Sequence, residues 1–286
     1  MNNPAAADKL LQQGLIHHRA GQVALAMERY TEVLRIDPQN PDALYYIAVI
    51  CCQDKQYKEG IDLARRSLNF KPGQARAHNL VGQALYRQGL VKEALASFDD
   101  ALACDINFAD AYGNRGNMLS ELGRPAEALS SFDRALAVNA NSPADWLNRG
   151  ATLHGLGRFD EAIASYDRAI ALDPQFSATH LNRAEALKDA GRCEDALAGY
   201  DRAIALTPDF AEAFVGRALA LQQLGRLDDA LAALDRALAI KPELAPAYKA
   251  RGSVLQAMGR ADEARASRAK AAEIEATTGK ESKPSP

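Results

Sequence analysis

The chain repeats itself. Trp146, Gly150, Leu153, Gly157, Ala162, Tyr166, Ala169 and Pro174 recur 34 residues earlier as Tyr112, Gly116, Leu119, Gly123, Ala128, Phe132 and Ala135. They recur 34 residues later as His180, Ala184, Leu187, Gly191, Ala196, Tyr200, Ala203 and Pro208. A period of this size rules out a fold built around one central core. Each period is a small supersecondary unit that cannot cover its own apolar face, so neighbours must stack. The frame extends without a gap to eight units, 7–40, 41–74, 75–108, 109–142, 143–176, 177–210, 211–244 and 245–278. Residues 1–6 and the polar tail 279–286 fall outside it and are expected to be disordered.

Within a unit the local grammar is helical. A first apolar-periodic segment stops at a glycine (Gly123, Gly157, Gly191, Gly225, Gly259), the residue that most easily ends a helix. A second segment, such as "RFDEAIASYDRAIALDP", runs to a proline (Pro38, Pro72, Pro174, Pro208, Pro242) that cannot continue it. Small residues such as Gly150, Ala162 and Ala169 let the two helices approach closely. Four departures are expected to loosen turns without shifting the period: Lys55 and Gly60 replace the usual glycine and alanine in the second unit, and Ile106 and Ala140 replace unit-ending prolines.

This pattern resembles the tetratricopeptide repeat, and the resemblance covers nearly the whole chain. It implies an all-α fold, a right-handed superhelical solenoid of antiparallel helix pairs, with the first helix of each pair lining a concave groove. It also implies a protein that binds other proteins or peptides. The basic residues of the carboxylate clamp found in some family members are missing: Ala178 and Asn182 stand where lysine and arginine would be required, so an acidic chaperone tail is not an expected ligand.

Two rows of residues stand out when positions are numbered within the unit. Position 7 holds Arg115, Arg149, Arg183, Arg217 and Arg251, where an apolar residue is usual; position 25 holds Asp99, Asp133, Asp167, Asp201 and Asp235. Pairing within a unit would set Asp99 against Val81 and Arg251 against Ala269. Pairing each aspartate with the arginine 16 residues on leaves no orphan, and predicts Asp99–Arg115, Asp133–Arg149, Asp167–Arg183, Asp201–Arg217 and Asp235–Arg251 as partly buried clips between units. Arginine suits the place because its planar fork grips a carboxylate while its stem covers apolar surface. Truncating one partner is expected to cost about 3 kcal/mol if the site is dry and about 1 or less if it is wet.

The groove face combines positions 2, 5, 6, 9, 12 and 13 of the first helices. Its candidate partner-binding residues are Asn79, Gln83, Tyr86, Asn114, Asn117, Leu147, Asn148, Leu181, Asn182 and Glu185. Asn114, Asn148 and Asn182 share position 6, and amides that both donate and accept can hold an extended peptide backbone whatever its side chains. A similar asparagine ladder occurs in the repeats of O-linked N-acetylglucosamine transferases. The competing reading is that these asparagines are solvated helix residues copied by duplication.

Chemistry is poorly represented. No phosphate-binding loop, nucleophile elbow, zinc-binding helix motif or dinucleotide fingerprint is present, and the five histidines do not converge, so no enzyme activity, cofactor or metal is expected. The net charge of −3 gives no general attraction to nucleic acid, and no stretch is long and apolar enough to suggest membrane insertion. Four cysteines without a framework (Cys51, Cys52, Cys104, Cys193) suit small buried hydrophobes in a reducing compartment, and a cytoplasmic location is expected. The leading expectation is a non-enzymatic scaffold for a peptide segment or partner helix. An accessory subunit of an enzyme complex, such as a glycosyltransferase or envelope-assembly machinery, and self-association into a homo-oligomer are the other two readings.

Overall fold

The computed structural model describes residues 4–281, and side chains as far as residue 277. It divides into two compact halves, Met1–Ala140 and Asn141–Pro286. The first half holds α1 (Pro4–Arg19), α2 (Val23–Ile36), α3 (Pro41–Gln53), α4 (Tyr57–Phe70), α5 (Ala75–Arg87), α6 (Val91–Cys104), α7 (Ala109–Glu121) and α8 (Pro125–Val138). The second holds α9 (Pro143–Gly155), α10 (Phe159–Leu172), α11 (Ser177–Asp189), α12 (Cys193–Leu206), α13 (Ala211–Gln223), α14 (Leu227–Ile240), α15 (Ala245–Ala257) and α16 (Ala261–Glu281). No strand occurs among the described residues. Odd-numbered helices are the first of each pair and even-numbered helices the second.

Within each half, a second helix packs between the first helix of its own pair and that of the pair that follows. First helices of successive pairs also touch, α3 with α5 in one half and α9 with α11, α11 with α13 and α13 with α15 in the other. This closer approach makes the first-helix side the inner side of each stack. Apolar material is threaded along the layers: Ala26, Tyr30 and Val33 meet Ala43, Ile47 and Ile50 at the start, and Ala230, Leu234 and Ala237 meet Ala247 and Val254 near the end.

The aromatic residue of the second helix needs a glycine opposite it. A Cβ on Gly116 would lie 2.6 Å from the Phe132 ring, and one on Gly150 2.6 Å from the Tyr166 ring, both rings being fully buried. The turn inside each pair is closed by a glycine with positive φ, 69° at Gly123 and 78° at Gly191, a region closed to most side chains. Lys55 takes the same conformation, at φ 62°.

Two expectations about turns and ends are corrected. Gly60 does not loosen its turn: it removes a Cβ that would collide with the Cys52 Sγ, so the larger residue on α3 and the smaller one on α4 compensate each other. Residues 4–6 and 279–281, expected outside the repeats, are helical. Proline starts a helix without losing a needed hydrogen bond, the following alanines propagate it, and no proline intervenes before Glu281 to end α16. The rest of both tails, 1–3 and 282–286, lies outside the described residues.

Candidate functional site

The arginines of position 7 sit where two helices of different pairs come together. Arg115 Nε donates to Asp99 Oδ1 at 2.6 Å, Arg183 to Asp167 at 2.5 Å, Arg217 to Asp201 at 2.8 Å and Arg251 to Asp235 at 3.0 Å. Asp133 closes the row in the first half and Arg149 opens it in the second. The arginine side chains are 25–29% exposed and their aspartates 52–59%. The clips are therefore wet on the acid side, which places them in the weak class of ion pairs.

The structure adds a partner that the two rows alone do not reveal. Arg115 Nη1 also donates to Ser131 Oγ at 2.7 Å, Arg149 to Ser165 at 2.6 Å and Arg251 to Ser267 at 3.0 Å. These serines are almost fully buried, and Ser131 and Ser165 donate their own proton to the helix carbonyl four residues back, leaving a lone pair for the guanidinium. Each of these serines lies 16 residues after its arginine, as each arginine lies 16 residues after its aspartate. Arg183 and Arg217 lack the serine, because Gly199 and Ala233 occupy its place. At Gly199 the cause is packing: an added Cβ would lie 2.9 Å from Ala184 Cβ. Arg115, Arg183, Arg217 and Arg251 each link the first helix of their pair to the second helix of the pair before it.

The inner side of the first half is hollowed into a cleft of about 650 Å³. Its walls come from α3, α5 and α7, the turn after α3 and the start of α4: Val49, Cys52, Gln53, Lys55, Tyr57, Leu80, Gln83, Ala84, Tyr86, Arg87, Asn114, Asn117 and Met118, with Phe98 of α6. Four of the candidate residues, Gln83, Tyr86, Asn114 and Asn117, come together here. Asn79 does not: it is 7% exposed, and its carbonyl oxygen accepts a hydrogen bond from Asn114 Nδ2 at 3.0 Å. The buried amide thus orients its neighbour through the Asn114 nitrogen and leaves the Asn114 oxygen as the end that can accept from a ligand.

Tyr86 is also held, donating its hydroxyl to Glu121, a bond that raises its pKa above the usual phenol range. Burial pushes the Cys52 thiol up to about 11, so this wall is a neutral apolar surface and not a nucleophile. Cys51 and Cys193 are buried, Cys104 is exposed, and all four cysteines are free.

In the second half Leu147, Asn148, Leu181 and Asn182 are half-buried on first helices. Glu185 is committed elsewhere. The buried Tyr200 hydroxyl donates to its Oε1 at 2.8 Å, and Lys188 pairs with its other oxygen. Burial, then the Glu185 charge, raise the Tyr200 pKa far above the phenol range. Gly216 leaves the room this carboxylate needs, which is why position 6 stops being asparagine there. His154 Nε2 donates to Asp189 Oδ2 of the next pair at 2.8 Å, and His78 and His180 reach the carbonyls of Pro72 and Pro174. Among the described residues no group of three or more histidine, cysteine, aspartate or glutamate side chains could hold a metal ion. No described helix is long and apolar enough to cross a membrane.

Comparison with known proteins agrees with this architecture. Three family models, each described as tetratricopeptide repeat, match the chain, one over residues 114–175 and 181–245, one over 17–84 and one over 97–130. Among solved structures, the chain is similar to YrrB, described as a repeat protein of this type with an unusual peptide-binding site: 23% identity and a TM-score of 0.59, over 64% of this chain and 95% of that one. It is similar to PilF of Pseudomonas aeruginosa at 24% identity and a TM-score of 0.66, over 73% and 96%. A structure of MamA matches at 26% identity and a TM-score of 0.52, over 58% and 96%. No curated protein matches the chain in sequence.

Proposed function

The chain belongs to the tetratricopeptide repeat family, and from that premise we propose that it is a non-enzymatic scaffold whose first-half cleft holds an extended peptide segment. The observation that carries the reading is the cleft itself. An apolar floor of Val49, Leu80 and Met118 sits beneath a rim of amides, Gln53, Gln83, Asn114 and Asn117, in a volume that suits several side chains of a strand. An apolar floor supplies binding energy without demanding one sequence, and amides satisfy a peptide backbone that would otherwise lose its water. The similarity to YrrB, a protein described by its peptide-binding site, supports the reading at the level of fold.

A photo-crosslinking amino acid at Gln83 tests it, with the same group at Arg134 on α8 as the outer-side control. The proposal expects defined adducts from Gln83 and none from Arg134 when the protein is illuminated in the lysate of its own cells. Equal labelling from both positions would contradict it.

A further inference from the structure

One turn of the stack is closed by a residue that pays sterically for being there. Gly21, Gly89, Gly123, Gly157, Gly191, Gly225 and Gly259 close the same turn in the other seven repeats, with φ between 69° and 78°. Lys55 adopts φ 62° without the freedom that glycine has. Since glycine serves every sister turn, backbone geometry does not call for lysine, and strain kept at one position points to work done by its side chain.

That side chain lines the cleft, as does Arg87 from the end of α5. Neither is paired with a carboxylate among the described residues, whereas Arg115, Arg124, Arg158, Arg192 and Arg226 are each tied to an acid. No aspartate or glutamate forms part of the cleft wall; Asp54 lies outside it, Glu121 keeps its negative charge while accepting from the Tyr86 hydroxyl, and Glu59 lies with Lys55 on the neighbouring surface. The cleft wall itself therefore carries two positive charges and no negative one over an apolar floor.

We propose that the cleft selects peptide segments carrying internal acidic side chains, with Lys55 and Arg87 as the residues that set this preference. The inference rests on the cleft being a peptide site. Charges at an exposed rim choose among ligands and speed their encounter more than they add affinity, so the effect is one of selectivity and depends on salt.

The test is fluorescence anisotropy of the full chain with three labelled decapeptide libraries, blocked at both termini and identical except for two adjacent central residues: Glu-Glu, Gln-Gln or Lys-Lys. The Glu library is expected to bind about tenfold more tightly than the Gln library in low salt, with the Lys library weakest, as two exposed charge pairs allow. Lys55→Gly should narrow the Glu-over-Gln ratio to about threefold while raising the melting temperature, because it removes charge and strain together. Arg87→Gln should narrow the ratio similarly, and Lys92→Gln on α6 should not. A ratio near one, or a ratio that survives Lys55→Gly, would overturn the proposal. Equal binding of all three libraries removes acid selectivity and leaves the peptide site standing; no binding by any library removes both.

Discussion

The guanidinium of Arg115 is shared between the half-exposed carboxylate of Asp99 and the buried hydroxyl of Ser131, whereas that of Arg183 bonds to Asp167 alone among the described residues. A surface pair contributes about 0.2–1 kcal/mol, and a hydrogen bond from a charged donor to a buried acceptor about 1.5–3. Arg183→Met should therefore cost about 1 kcal/mol and Arg115→Met about twice that, read from urea unfolding followed by circular dichroism; equal costs would show that the serine contributes nothing. The spacing of the aspartates and arginines was readable because both rows repeat without interruption. The serine was not, because Gly199 and Ala233 break its row, and a broken row looks like noise until the packing behind it is visible. A second consequence concerns tyrosine. Burial raises the Tyr30 pKa from 10.0 to about 12. A phenol that holds its proton more tightly when folded adds stability that is complete below pH 10 and disappears as the pH rises toward about 12. Tyr166 and Tyr200 shift in the same direction by burial. Alkaline titration should show tyrosinate absorbance rising together with loss of helix; ionisation in one early step with the helices intact would contradict this.

At the scale of paired helices, the same 15-residue spacing links two small-residue choices. Gly116, Gly150 and Gly252 on first helices go with Ser131, Ser165 and Ser267 on second helices, and Ala184 goes with Gly199. In these pairs a methyl group is carried by one helix or a hydroxymethyl by the other, whereas Ala218 and Ala233, at the same spacing, both carry a methyl. Gly199→Ser alone should destabilise by about 1–3 kcal/mol through overpacking against Ala184 Cβ. Adding Ala184→Gly should recover most of that loss and give Arg183 the hydroxyl that Arg115 has. Chemical denaturation of the two variants decides it, and a double variant no better than the single one would refute the packing account. The pairing of helices and their boundaries were legible from glycine and proline punctuation. Gly60 was misread because its partner, Cys52, lies on the other helix, and nothing local to the turn reveals that the two sizes compensate.

For the molecule, the period of 34 determined the architecture, since each repeated unit leaves an apolar face that only another copy can cover. The cleft was legible only in part. Gln83, Tyr86, Asn114 and Asn117 follow from the helical face they share, but the inward turn of Asn79 depends on which amide its neighbour finds, and Lys55 lies in a turn that no helical periodicity reaches. Glu185 follows the face rule and is nonetheless claimed by Tyr200, because the rule places a side chain on a side of a helix and says nothing of what awaits it there. Hydrogen exchange of the full chain, with and without the Glu-Glu peptide library, bears on the central claim most directly. Slowed exchange confined to α3, α5, α7 and the 54–57 turn is the predicted result; slowing along α2, α4 and α6, or no change anywhere in the first half, would contradict it.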